Sequence, residues 1–402
     1  MTIPDRIDEV VVDQFVAGGE GLARPVGRPV VFVRGALPGE RVRIGAVEPH
    51  RGYGRAELVE VVQPSPDRVA PPCEAVARGC GGCDLQHAAP AAQPRLKADS
   101  VLDALRRIGR LDAPVVSAGA PLPSSGYRTT VRVAVRDGRA GFRRHRAHEV
   151  VAVDGCLVAH PLVDELLRDG HFGDSVEATI RVGAATGERM ALLEPTASGA
   201  RLPGDVAVVG ADELRAGRRV WIHEEIGGRR WRISARSFFQ ARPDGAAALC
   251  DAVVRAAGEE LGGSRVADAY AGVGLLSAAV RLAASPAATV VAVERSASSV
   301  ADARVNLDDL GVKVVRSAVE RWRPGRVDVV VADPSRAGLG RAAVDVLDAT
   351  RAQVLVLVSC DAAALGRDVR LLTDRGWCFE RAVLVDLFPH SHHVEVVTRF
   401  AR

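Results

Sequence analysis

Apolar and polar positions follow two rhythms along this chain, and the change between them marks its organisation. Up to about Val62 the apolar residues fall in short alternating runs, Glu9–Asp13, Pro29–Val33, Glu40–Ile44 and Ala56–Val62, with turns at Gly18-Gly19, Gly35 and Pro38-Gly39. Strands this short and this evenly spaced predict a small β-barrel, and the OB type is the usual nucleic-acid-binding example. Gln63-Pro-Ser-Pro66 and Pro71-Pro72 then predict a stiff linker. A helix is expected at about Ala91–Ile108, followed by a β-rich region from about Tyr127 to Ser234. Beyond Ser237 the rhythm becomes regular β/α alternation, with strands at Arg265–Ala269, Thr289–Glu294, Val312–Arg316, Asp328–Ala332, Val354–Val358, Glu380–Leu387 and Val394–Phe400. Ala-rich helical segments separate the first six strands and none separates the last two, which predicts an open α/β sheet ending in an antiparallel pair. The expected units are therefore 1–63, a barrel; 64–235, a central β-rich region; and 236–402, the α/β domain.

Composition adds three constraints. A chain of 402 residues with 48% hydrophobic content can bury two or three cores. No apolar stretch reaches the length of a membrane span, and the acidic N-terminus Met1–Glu9 does not read as a signal segment, so a cytoplasmic location is expected. The net charge of +3 points to no partner by itself. Arginine does cluster, however: Arg128, Arg132, Arg136, Arg139, Arg143, Arg144 and Arg146 face only Asp137 and Glu149 across residues 126–150. The alternation Thr130–Arg136 followed by Asp137-Gly138 predicts a β-hairpin with arginines on one face, an anion-binding surface suited to nucleic acid.

The chemistry concentrates at predicted strand ends, where open α/β sheets bind ligands. The first strand of the α/β domain runs into Asp268-Ala-Tyr-Ala-Gly-Val-Gly-Leu-Leu-Ser277, whose Gly272 and Gly274 let the backbone turn tightly beside a ligand. The second strand ends in Glu294, 22 residues after Gly272, where a carboxylate can accept ribose hydroxyls. The loop lacks the third glycine of the dinucleotide fingerprint, which favours S-adenosylmethionine over NAD and a class I methyltransferase over a dehydrogenase. The fourth strand ends in Asp333-Pro-Ser-Arg336 and the fifth in Ser359-Cys360-Asp361, so an acid, an arginine and a thiol share one rim.

A second cysteine group stands apart. Cys73, Cys80 and Cys83, with Cys156 far downstream, are four candidate soft ligands, and the Cys80-Gly-Gly-Cys83 pair suits a tight metal-binding loop. Spacing leaves zinc and an iron–sulfur cluster equally open. Cys250 and Cys378 are expected in the core.

Taken together these motifs resemble the TrmA/RumA family of RNA uracil-5-methyltransferases over nearly the whole chain. Gly19–Arg24 and Gly35–Val42 resemble a TRAM domain, an OB-like RNA-binding barrel. Cys73, Cys80-Gly-Gly-Cys83-Asp-Leu-Gln-His87 and Cys156 resemble the ligand set of the family's iron–sulfur branch, which implies a 4Fe–4S cluster. Ser237-Phe-Phe-Gln240, Tyr270, Gly272, Glu294 and Asp333 match cofactor-contacting positions, Ser359-Cys360 the nucleophile motif, and His393-Val-Glu395 the element carrying the base. Ser335 and Asp361 depart from the family's usual proline and asparagine, and Ala271 and Leu276 from its usual cysteine and phenylalanine.

The resemblance implies a monomer that methylates C5 of a uridine in structured RNA, 23S rRNA before the tRNA T-loop. Cys360 would add to C6 of the base, Glu395 would remove the C5 proton, and Arg336, by inference from its charge, would stabilise the carbonyl oxygens. Phe238 or Phe239 could stack on a base. The alternatives are RNA 5-methylcytosine formation, which uses the same covalent logic, and a non-catalytic RNA-binding or chaperone protein on a methyltransferase scaffold.

Overall fold

The computed structural model describes residues 8–262 and 264–402. The first seven residues, part of the acidic N-terminus that argued against a signal segment, lie outside the described residues. Among the described residues no helix is long and apolar enough to cross a membrane.

The N-terminal strands close into the expected barrel. Asp8–Val16, Glu20–Ala23, Val30–Arg34, Tyr53–Gln63 and Arg41–Ile44 pair in that circular order, with Val30–Arg34 parallel to Tyr53–Gln63 and the other pairs antiparallel. Closure removes exposed sheet edges and lets Val12, Val33, Val42 and Ile44 fill the interior. The strand absent from the sequence reading, Glu20–Ala23, is only four residues long and buried throughout, so it carries no alternation.

The α/β domain holds an eight-stranded sheet in the order Lys313–Arg316, Thr289–Glu294, Arg265–Ala269, Val329–Ala332, Val354–Ser359, Val396–Ala401, Cys378–Leu384, Val116–Ala118. The first five strands are mutually parallel, and the last strand of the chain inserts antiparallel between the fifth and Cys378–Leu384. This is the class I S-adenosylmethionine-dependent methyltransferase architecture. Helices on both faces account for the continuous apolar run at Val354–Val358. Leu355 and Leu357 enter one core, while Val354, Val356 and Val358 enter the other.

The eighth strand, Val116–Ala118, and the helix Gln93–Arg107, which packs on Ala362–Thr373, come from the stretch between barrel and central sheet. They tie that stretch to the C-terminal sheet. The central sheet runs Val150–Ala152, Arg139–Arg143, Thr130–Arg136, Glu177–Val182, Arg189–Glu194, Val206–Gly210. Its hairpin turns at Asp137 and Gly138, both at positive φ, as the Asp-Gly pair predicted.

Cys378 corrects the expectation of a core residue. It starts its strand beyond the reach of Val116–Ala118, which pairs only with Ala382–Leu384, and its side chain is exposed.

Candidate active site and thiol pocket

The ends of the parallel strands open into one cavity of about 760 Å³, and the predicted residues of the α/β domain all line it: Gln240, Tyr270, Gly272, Glu294, Asp333, Arg336, Cys360 and Glu395. Each arrives for a local reason. Gly274, at φ +97°, begins the helix Leu275–Ala283, and a Cβ there would lie 2.7 Å from Leu307. The loop must therefore pass as bare backbone. Glu294 is held at its strand end by two amides, Gly272 N–H at 3.0 Å and Ser296 N–H at 2.6 Å. Gln240 is buried in the wall that follows the hairpin Trp221–Ile226/Arg229–Ser234. That hairpin is fastened to the α/β domain by Asn306, whose side chain bonds Arg232 N–H at 2.8 Å and Arg232 C=O at 3.1 Å.

Cys360, Asp333 and Glu395 share one part of this cavity and interact electrostatically. Burial pushes the Cys360 thiol up to about 12, Glu395 and Asp333 push the same way, and Arg336 opposes them. Burial also pushes Asp333 up to about 7, and it raises Glu395 well above the carboxylate range, reinforced by the Asp333 charge. Proton removal needs the ionised carboxylate, and a raised pKa makes that carboxylate the stronger base. Asp361 contributes least to the thiol. Its Oδ1 accepts Ala364 N–H at 2.7 Å and caps the helix Ala362–Thr373.

Two residues of this cavity had no assigned role in the sequence reading. His393 lies beside Arg336 with 3.3 Å between Nε2 and Nη2, and burial pushes its imidazole down to about 3, so it is neutral and accepts from the guanidinium. Its signal was position, two residues before Glu395. Asp268 is fully buried, pushed up to about 7 by burial, and receives the Ser277 hydroxyl. The two candidate stacking aromatics separate: Phe239 is core, whereas Phe238 is 66% exposed at the cavity wall.

A second, small cavity of about 20 Å³ gathers Cys73, Cys80, Cys83 and Cys156. The loop carrying the first three rests on the strand Arg139–Arg143, with Gly81 N–H donating to Arg143 C=O at 3.0 Å. No three His, Cys, Asp or Glu side chains among the described residues are grouped to hold a metal ion. The donor set nonetheless suits a thiolate-bound group. Backbone N–H groups point at Cys80 and Cys156, and the Gln86 amide points at Cys83. Arg128 Nε is buried at this cavity without a hydrogen-bond acceptor. A buried donor without an acceptor is costly, and a sulfide-rich anionic group would satisfy it.

The arginine hairpin is less free than its sequence suggests. Arg132 pairs with Glu177, Arg144 with Glu149 at 2.8 Å, and Arg139 donates to the carbonyls of Arg168 and Gly170 at the end of the helix Pro161–Asp169.

No family model matches the chain. Its relatives include uncharacterized RNA methyltransferases of Streptomyces avermitilis, 38% identical over 97% of this chain and 96% of the relative, and of Halalkalibacterium halodurans, 31% identical over 97% and 95%. Among solved structures, Pyrococcus abyssi tRNA (uracil-54, C5)-methyltransferase in complex with S-adenosyl-L-homocysteine shares the fold, with a TM-score of 0.72 and 22% identity over 98% of this chain and 99% of that one. Sequence identity of this extent along nearly the full length, on a shared fold, means that the chain belongs to the RNA methyltransferase family.

Proposed function

We propose that this RNA methyltransferase acts on C5 of a uridine in structured RNA, with S-adenosylmethionine as methyl donor. The observation that carries the reading is the convergence of a thiol, a buried carboxyl and a guanidinium on one strand-end cavity, opposite a glycine loop and an anchored carboxylate. S-adenosylmethionine supplies an electrophilic methyl group. Glu294 and Gly272 hold its ribose end, and Tyr270, Gln240 and Asp333 surround the remainder. Cys360 loses its proton to solvent water and its sulfur bonds to C6 of the uracil, the C5–C6 π electrons moving towards C5 and the carbonyl. Arg336, steadied by neutral His393, stabilises the charge on the carbonyl oxygen. C5 takes the methyl group as its bond to the donor sulfonium breaks and S-adenosylhomocysteine leaves. Ionised Glu395 removes the C5 proton, and the C6–sulfur bond breaks, its electron pair returning to Cys360, to restore the ring. Phe238, exposed at the wall, offers a stacking face to an extruded base. 23S rRNA is the first substrate to test and the tRNA T-loop the second.

Cys73, Cys80, Cys83 and Cys156 would hold a 4Fe–4S cluster, with Gln86 and Arg128 as its hydrogen-bonding surround. When bound, the cluster would cross-link the linker loop to the central sheet. Protein purified without oxygen should contain iron and sulfide; one zinc and no iron would sink this assignment.

The function is tested with RNA containing 5-fluorouridine, which cannot lose its C5 substituent as a proton. A protein–RNA adduct that requires S-adenosylmethionine and vanishes in Cys360→Ala is expected. Absence of an adduct on both rRNA and tRNA would favour an RNA-binding protein instead, and an adduct only with 5-fluorocytidine a cytosine enzyme.

A further inference from the structure

The loop leading to Glu395 does not hold its own shape. His390 sits at φ +67°, a left-handed conformation that is strained for a non-glycine residue. The bonds that impose it come largely from one distant stretch, residues 84–97, which begins directly after Cys83. Leu85 N–H donates to His390 C=O at 2.9 Å, and Gln93 Oε1 accepts His390 N–H at 2.6 Å. Behind them the fully buried Lys97 donates to Asp386 Oδ1 at 2.6 Å and Phe388 C=O at 2.9 Å. In front, both carboxylate oxygens of Asp84 engage one residue: Oδ1 accepts His392 N–H at 2.8 Å, and Oδ2 pairs with His392 Nδ1. The barrel presses on the same point, because a Cβ on Gly19 would fall 2.6 Å from His392 Cβ. The ring of His392 then stands 4.3 Å from that of His393, which contacts Arg336, and Glu395 follows two residues later.

We infer that Asp84, through His392, is a positioning residue for the methylation site, and that residues 84–97 transmit the geometry of the thiol pocket to the base-bearing loop. The inference rests on the proposed function. Asp84 is not among the residues lining either cavity; it is covalently next to Cys83 and hydrogen-bonded to the loop that ends in Glu395. A displacement of the thiol loop is thereby a displacement of His392 and, through it, of His393 and the base.

The test compares Asp84→Ala, Asp84→Asn and Gly19→Ala with the wild type, full-length and purified without oxygen. Asp84→Ala loses both bonds to His392 and should lower kcat roughly ten- to hundredfold. Its affinity for S-adenosylmethionine and its metal content should stay those of the wild type. Asp84→Asn, which keeps an acceptor for the His392 amide, should recover most of the loss. Gly19→Ala, whose added methyl would meet His392 and no thiol, should reproduce the kcat defect by pushing His392 from the barrel side. Amide hydrogen exchange over residues 386–393 should quicken in Asp84→Ala. Unchanged kcat in Asp84→Ala, parallel loss of cofactor affinity, or an Asn variant no better than Ala would overturn the positioning role. If the wild type forms no adduct with 5-fluorouridine RNA, the proposed function falls; the loop coupling is then judged by hydrogen exchange alone, and unchanged exchange refutes it.

Discussion

The resting state of Cys360 yields the most discriminating prediction, because its environment works against the thiolate that the chemistry needs. Burial, Glu395 and Asp333 together move the thiol from 9.0 up to about 12. At pH 8 that lowers the thiolate fraction roughly a thousandfold, equivalent to about 4 kcal/mol. A more basic thiolate is also more nucleophilic, with a Brønsted slope of about 0.4–0.5, which returns roughly 15- to 30-fold. The net expectation is that Cys360 reacts with iodoacetamide about 30- to 60-fold more slowly than a free cysteine at the 9.0 reference value. Exposed Cys378 provides the comparison within the same molecule, with both sites quantified by peptide mass spectrometry across pH 6–10. Arg336→Gln removes the guanidinium that favours the thiolate, and should slow Cys360 further. Glu395→Gln should speed it, because the Glu395 charge disfavours the thiolate. Equal labelling of Cys360 and Cys378 at pH 8, or acceleration by Arg336→Gln, would refute the reasoning. If Cys360 is the nucleophile proposed above, the ligand-free cavity disfavours its thiolate.

Other consequences can be checked independently. Glu395→Gln should cut turnover about 10²- to 10⁴-fold and leave a methylated protein–RNA adduct on ordinary substrate, visible on a denaturing gel, because addition proceeds and elimination stalls. Glu294→Ala, which loses the anchor formed with Gly272 and Ser296, should weaken S-adenosylmethionine binding roughly tenfold or more by calorimetry. Asp333 is pushed up to about 7 from 3.8, so its contribution to stability is present below 3.8 and is lost as pH rises to about 7. Thermal unfolding of the ligand-free protein should accordingly show Asp333→Asn gaining on the wild type between pH 4 and 7 and running parallel above. Cys80→Ser should lower bound iron and sulfide without abolishing S-adenosylmethionine binding, since the two cavities share no residue.

Much of this molecule was legible in residue order, and the physical reason is locality. A strand buried on both faces reads as a continuous apolar run, so Val354–Ser359 was found almost to the residue, and with it the strand end that presents Cys360. Glycine loops, Asp-Gly turns and a carboxylate at a strand end are also short-range features. Gly274, the turn at Asp137-Gly138 and Glu294 consequently stand where their neighbours in sequence placed them.

The rest depended on who meets whom across the fold. Sequence could not show that arginines 132, 139 and 144 are engaged by Glu177, by helix-end carbonyls and by Glu149, because a charge pattern carries no information about distant partners. It could not expose Cys378, whose burial depends on where a three-residue neighbouring strand stops. Nor could it join Asp84 to His392, separated by 308 positions, or set four cysteines around one cavity. The inventory of reactive groups is written in the order of residues. Their protonation, their positions and the link between the two cavities come from burial and long-range contacts, which exist only once the chain has folded.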